Sequence, residues 1–265
     1  LTFQSALAHP YVRATVRISG NVAAATHGES RSELLGSGDS RVPFQQFVLR
    51  QPPLTYISAS TPSGGQSTLE IMVNDQSWKE VPTLYGHGPT EHIYVTRRDD
   101  DGNTMIQFGD GVTGARLPTG RHNIRAAYRQ GIGAGGLVKA GQLSLLMTKP
   151  SGVRDATNPV DAAGAADPEV LEDIRRNAAL TLRTLDRIVS LQDYEDFATA
   201  FSGVSKALAT STWTGRRRGV LLTVAGTDGA VVEDSGSVYM NLVRAIQQAG
   251  DPLVPVQVAS YRPAF

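Results

Sequence analysis

The chain contains no cysteine, which removes disulfides, thiolate metal ligands and cysteine nucleophiles together and agrees with a reducing compartment. It also lacks a net charge. Its 25 Lys and Arg balance 25 Asp and Glu, so no overall field draws it toward nucleic acid or anionic lipid. No run approaches the roughly 18 apolar residues of a membrane-spanning helix, and no charged-then-apolar signal segment opens the sequence. Histidine is sparse and scattered, at His9, His27, His87, His92 and His122. Neither an H-E-x-x-H zinc motif nor a G-x-S-x-G nucleophile elbow occurs.

What is present is 265 residues, enough for one large domain or two to three small ones with a real apolar core. The 27 glycines and 14 prolines imply many turns and favour short strands over a helical bundle. The sequence opens on Leu1 rather than Met, so one ordered part of a longer polypeptide is expected.

Residues 1–150 read as mostly β. "YVRATVRIS" (11–19) alternates apolar and polar side chains and reads as a half-exposed strand, followed by "HGESRSELLGSGDSRVPF" as a loop. "LTYISAS" and "TLEIMV" are strand candidates separated by the turn segment "TPSGGQS", and Asn74-Asp75 turns the chain toward "SWKEV". "HIYVTRR" and "TMIQF" form a hairpin across "DDDGN", with Asp101-Gly102 at its turn, and "NIRAAYRQ" closes the region.

The pattern then changes. Asp161–Ala166 reads as a linker, and Asp167 is placed to cap a helix running from about Pro168 to Leu182. Ser190 starts another helix. Beyond Gly203 come the strand "KALATSTW", a turn "TGRRRG", the strand "VLLTVAG", the helix "SGSVYMNLVRAIQQAG" and a last strand "VPVQVASY". The fold class expected is α+β and multidomain: a β-rich region over 1–150, a linker and helical segment over 151–203, and a small α/β sandwich of β-β-α-β order over 204–265.

Several clusters invite a chemical reading. "SLQDYEDFATAF" (190–201) packs three carboxylates beside a tyrosine. Ser190 and Asp193 fit a capping box, and at 100° per residue Leu191, Tyr194, Phe197 and Phe201 gather on one flank. Asp193 and Asp196 point away from it and Glu195 lies on another side. Acids splayed in this way fasten a helix start and cannot converge on a metal or a scissile bond. The acids of "DPEVLEDIRR" read likewise, as N-terminal charges with Arg175 and Arg176 in pairing range. "DDDGN" fails as a calcium loop, because a register with Gly102 at position six puts Arg97 and Phe108 where acids are needed. "GIGAGG" (131–136) is a literal G-x-G-x-x-G, but "LVKAGQLSLL" after it alternates like a strand and offers no helix N-terminus. Arg216, Arg217 and Arg218 sit in a hairpin turn near Trp213, a solvated turn or a docking point for an acidic partner.

Two segments, "FGDGVTGARLPTG" (108–120) and "ADPEVLEDIRRNAALTLRTLDRIVSLQDYEDFATAF" (166–201), closely resemble the baseplate J-like family, the baseplate assembly proteins of contractile phage tails and tail-like injection particles. "SGDSRVPFQQFVLRQPPLTY" (37–56) is similar to the same family. One departure is Ala179, where relatives often carry proline, which affects where the first helix ends.

The resemblance implies structural work: wedges that surround a central spike and hub, join their neighbours in a ring, and link the sheath to the cell-contacting end. It implies a chain made in the bacterial cytoplasm and located in the particle baseplate, with other wedge subunits, the hub or spike and sheath-proximal proteins as partners. No catalytic residue, cofactor, metal, nucleic acid or small-molecule substrate is implied. The alternative from the β-rich first half and the acid clusters is a carbohydrate-binding or carbohydrate-active tail-associated protein.

Overall fold

The computed structural model describes residues 12–16, 20–23, 25–26, 28–99, 102–162, 165, 167, 187–215, 217–226, 229–234 and 236–262. Two compact units are distinguished: residues 1–27 with 137–163, and residues 28–136 with 164–265.

The larger unit holds two main cores and a small satellite cluster of Val81, Ile93 and Val95. The first belongs to nine strands: β1 (Glu29–Gly36), β2 (Gln46–Val48), β3 (Tyr56–Ser58), β4 (Gly65–Ser67), β5 (Glu70–Val73), β6 (Gln76–Glu80), β7 (Ile93–Arg98), β8 (Thr104–Phe108) and β9 (Ile124–Gln130). Seven form one sheet in the order β1-β9-β5-β6-β7-β8-β2, and β3 pairs with β4. Alternation places Ile71 and Val73, Ile106 and Phe108, and Ile124, Ala126 and Tyr128 on the buried side. Trp78 stacks on His92 at 4.8 Å and meets the Phe108 ring edge-on at 5.3 Å. The β5–β6 hairpin turns at Asn74 and Asp75, both left-handed (φ 49° and 62°), the pair of positive angles that a two-residue hairpin of this twist requires. At the β7–β8 turn Asp99 N–H reaches Asn103 O at 3.0 Å; Asp100 and Asp101 lie outside the described residues.

The second core closes the C-terminal part. Here α1 (Leu191–Ala200) precedes β10 (Lys206–Trp213), β11 (Arg218–Ala225), α2 (Ser237–Ala249) and β12 (Val256–Ser260). β10 and β11 pair antiparallel, and α2 carries the chain over to β12, which pairs parallel with β11. Period two turns Val220, Leu222 and Val224 of central β11 to the core, where Tyr194 and Phe197 of α1 and Leu242, Ala245 and Ile246 of α2 join them. The molecule is β-rich, with two α-helices among the described residues and the expected β-β-α-β order at its end.

Four readings of the sequence need correction. "ESRSELLG" is a strand, β1, inside the stretch read as a loop. It lies at the sheet edge and pairs only with β9, so its polar side chains need no two-sided burial. Residues 12–16 are a turn, with the Thr15 N–H and hydroxyl both donating to Val12 O at 2.9 Å, and among the described residues no strand pairs with them. "TPSGGQS" contains β4 after its turn. Finally, "LVKAGQLSLL" is not a strand. In the smaller unit Asn158 holds that stretch instead, accepting the Leu143 N–H at 2.9 Å and donating to Lys139 O at 2.8 Å. The linker read at Asp161–Ala166 includes Asp161, which accepts the Ala140 N–H at 2.7 Å. "GIGAGG" ends in one 3-10 turn, Gly133–Gly136, in place of a phosphate-binding helix start. The helix expected from Pro168 to Leu182 lies outside the described residues, as does Arg216.

Candidate assembly surface

The start of α1 accounts for its acids one at a time. The Asp193 N–H donates to Ser190 Oγ at 3.2 Å, while the Asp193 carboxylate accepts the N–H of Ser190 at 2.8 Å and of Val189 at 3.0 Å. Each residue satisfies backbone donors that a helix leaves open at its first turn. The Ser190 N–H, foremost, holds the Asp193 carboxyl below its ordinary range.

Glu195 has a different task. Thr214 N–H donates to Arg217 O at 3.0 Å across the β10–β11 turn. By alternation Lys206, Leu208, Thr210 and Thr212 therefore face β11, and the N–H of Ala209 faces out along the sheet edge. Glu195 takes that N–H at 2.9 Å and ties α1 to β10.

Asp196 departs from expectation. Its side chain is not turned to solvent: the residue is buried, 7 % exposed, and Gln192 Nε2 donates to it at 2.9 Å. The helix is thus enclosed on more than its aromatic flank, and a carboxylate there persists because it is hydrogen-bonded. Asp167 accepts the Ala134 N–H at 2.8 Å, and the helix it was expected to cap is not among the described residues. Three acids have three separate partners, and among the described residues no group of three or more His, Asp or Glu side chains could hold a metal ion. The acids of 190–201 are thus occupied by the fold itself, while Glu169, Glu172 and Asp173 of the other cluster lie outside the described residues.

The aromatic flank divides. Tyr194, Phe197 and Phe201 are 3 %, 3 % and 1 % exposed and belong to the domain's own core, whereas Leu191 is 40 % exposed. Leu191 is the first residue of α1, and Val189 just before it is bare as well. These residues stand at one end of the domain. Ile188 N–H donates to Ala249 O at 3.2 Å, which brings the start of α1 beside the end of α2. From there the loop to β12 runs past the β10–β11 turn, where Arg217 Nη1 donates to Leu253 O at 2.8 Å. Leu253 and Trp213, the latter paired across the hairpin with Arg218, are both largely exposed. Sequence reasoning marked the arginines and Leu191. It missed Val189 and Leu253, which adjoin the cap and a Pro-containing loop and carry no periodic signal.

In the first half, the stretches 37–56 and 108–120 meet in space. Phe44 N–H donates to Gly109 O at 3.3 Å, Ser40 N–H to Thr119 Oγ1 at 3.0 Å and Gly120 N–H to Gly38 O at 3.1 Å. Only glycine fits at 38, since a Cβ there would stand 2.3 Å from Pro118 O. Arg116 donates from Nε to Asp110 O and so braces the second loop. These loops form a bonded platform that leaves Val42, Phe44 and Val112 exposed.

Residues 186–259 match the family described as the Baseplate J-like central domain. Over this span the chain carries a baseplate J-like central domain. The matched span contains every buried residue of the second core, from Ile188 to Val258, so the central domain is a complete packing unit with its own capped entry helix. No curated protein matches the chain. Baseplate J-like proteins are structural, and the match indicates a structural role in a phage baseplate. No helix among the described residues is long and apolar enough to cross a membrane.

Proposed function

We propose that this chain is a non-enzymatic wedge subunit in the baseplate of a contractile injection system. In this reading it links neighbouring wedges around the central spike and hub, and passes baseplate rearrangement to the contracting sheath. The observation that carries it is the baseplate J-like central domain over residues 186–259. The internal employment of Asp193, Glu195 and Asp196 supports it, because those acids serve packing and capping. So do the exposed apolar side chains gathered at one end of that domain, on rigid elements suited to protein contact.

The partners proposed are other wedge subunits, hub or spike proteins and sheath-proximal proteins, with assembly from the bacterial cytoplasm into the particle. The division of labour proposed is a β-rich region over 1–150, a connecting helical segment over 151–203 and the α/β domain over 204–265. The test is to purify intact particles from the producing cell, strip the sheath and quantify the baseplate fraction by mass spectrometry. The chain is expected there in a fixed ratio to other baseplate proteins, and deleting its gene is expected to abolish sheathed particles. Particles of normal yield that lack the chain overturn the proposal.

A further inference from the structure

We propose that the end of the central domain formed by the start of α1, the β10–β11 turn and the α2–β12 loop is a docking surface for an acidic, apolar-bearing segment of a different baseplate chain. The proposal rests on the baseplate reading and adds to it the site and the chemistry of the partner.

The apolar part consists of Val189, 86 % exposed, Leu191, 40 %, Trp213, 65 %, and Leu253, 71 %. Each is fixed by a short element: the capping box sets Val189 and Leu191, the β10–β11 ladder sets Trp213, and the Arg217 bond to Leu253 O sets the loop. Large apolar side chains held bare on rigid backbone cost little ordering on binding, and tryptophan and arginine are the residue types that most often anchor protein interfaces. The sister aromatics of the same helix, Tyr194, Phe197 and Phe201, are spent inside the core. On that helix the apolar side chain left bare is Leu191, at this end.

The charge sets the partner. Arg217 and Arg218 are exposed, and among the described residues neither is in an ion pair. Asp251, within the α2–β12 loop, accepts the Leu253 N–H at 2.8 Å and forms no ion pair with either arginine. Two exposed arginines, Arg218 paired with Trp213 across the ladder and Arg217 at the turn, with no ion pair among the described residues, fit a segment that brings carboxylates and an apolar anchor together. Nucleic acid would want a longer basic track with interleaved aromatic side chains, and the balanced charge of the chain supplies no such field.

The experiment places a photo-reactive p-benzoylphenylalanine at position 213 of the full-length protein in the producing cell. Particles are isolated and irradiated, and the cross-linked peptides are sequenced by mass spectrometry. The expected product joins position 213 to a peptide of another baseplate chain with Asp or Glu flanking the linked residue. Particles that contain the chain yet give no cross-link, or a cross-link to a second copy, to nucleic acid or to a basic segment, overturn this proposal and leave the baseplate reading standing. Absence of the chain from the particles overturns both. As a second arm, Arg218→Glu is expected to lower incorporation roughly tenfold while the purified protein melts as wild type does. The Arg218 side chain bonds nothing among the described residues, so unchanged incorporation of the folded variant overturns the charge argument.

Discussion

Glu195 Oε1 accepts the N–H of Ala209 at 2.9 Å, on the side of β10 that no strand among the described residues covers. One carboxylate therefore joins a helix to a sheet edge and occupies a backbone donor that could otherwise pair with a foreign strand. Replacing it with alanine leaves a donor unpaired at a buried residue. Glu195→Ala is expected to cost about 1–3 kcal/mol, read as a lower urea midpoint at unchanged slope. Glu195→Gln keeps an acceptor and should lose less. Equal losses for the two variants would count against the bond.

Gly64 joins the two cores of the larger unit. Its φ is +73°, and a Cβ would stand 2.6 Å from the Ser202 nitrogen and 2.8 Å from the Phe201 ring. Ser202 N–H donates to Ser63 O at 3.0 Å, and Asn241 Nδ2 to Ser58 Oγ at 3.0 Å, across the same seam. Gly64→Ala is expected to cost about 1–3 kcal/mol through strain and displacement, and to speed hydrogen exchange at the Ser202 amide. Wild-type protection at that amide would contradict the contact.

The two ends of the α1 flank should answer differently to truncation. Phe201→Ala empties a fully buried site and is expected to cost about 3–5 kcal/mol. Leu191→Ala should stay within about 0.5 kcal/mol, while lowering incorporation into particles. Thermal melts and particle yields measured side by side separate the two roles.

Acid should weaken the cap in a defined direction. The Asp193 carboxyl is held below its ordinary range in the folded chain, chiefly by the Ser190 N–H. Its contribution is therefore complete above the ordinary carboxylate value of about 4, and is lost as pH falls through the lower, folded value. The stability gap between wild type and Asp193→Asn is expected to be largest near neutral pH and to close in acid. Ser190→Ala removes the reciprocal bond and should cost about 1 kcal/mol. A gap that does not change with pH would contradict the cap.

Much of this architecture was legible because local rules were strong where they applied. Asn74-Asp75 announced its hairpin by tolerating left-handed angles, and Ser190 with Asp193 announced a helix start. The apolar run "VLLTVAG" was legible as the strand β11, although its core face was not. What was illegible depends on neighbours. β1 reads as polar because its pairing with β9 is made by backbone, with Glu29 and Arg31 paired at the rim. Residues 12–16 alternate well and still form a turn, since alternation cannot supply a partner strand. Asp196 lies opposite the aromatic flank and is buried all the same, because helical period tells where a side chain points but not what closes over it. The exposed end at Val189, Trp213 and Leu253 is assembled from three separate segments, a helix entry, a strand end and a loop, and no contiguous pattern encodes it.

The most direct test is an electron-microscopy reconstruction of the intact particle at side-chain resolution. The account predicts this chain in the baseplate ring, with Asp193 and Glu195 bonded to its own backbone and the Trp213 indole covered by another subunit's acidic segment. Density for an ion or a sugar held between those carboxylates, or a bare Trp213 facing solvent in the assembled ring, would contradict it.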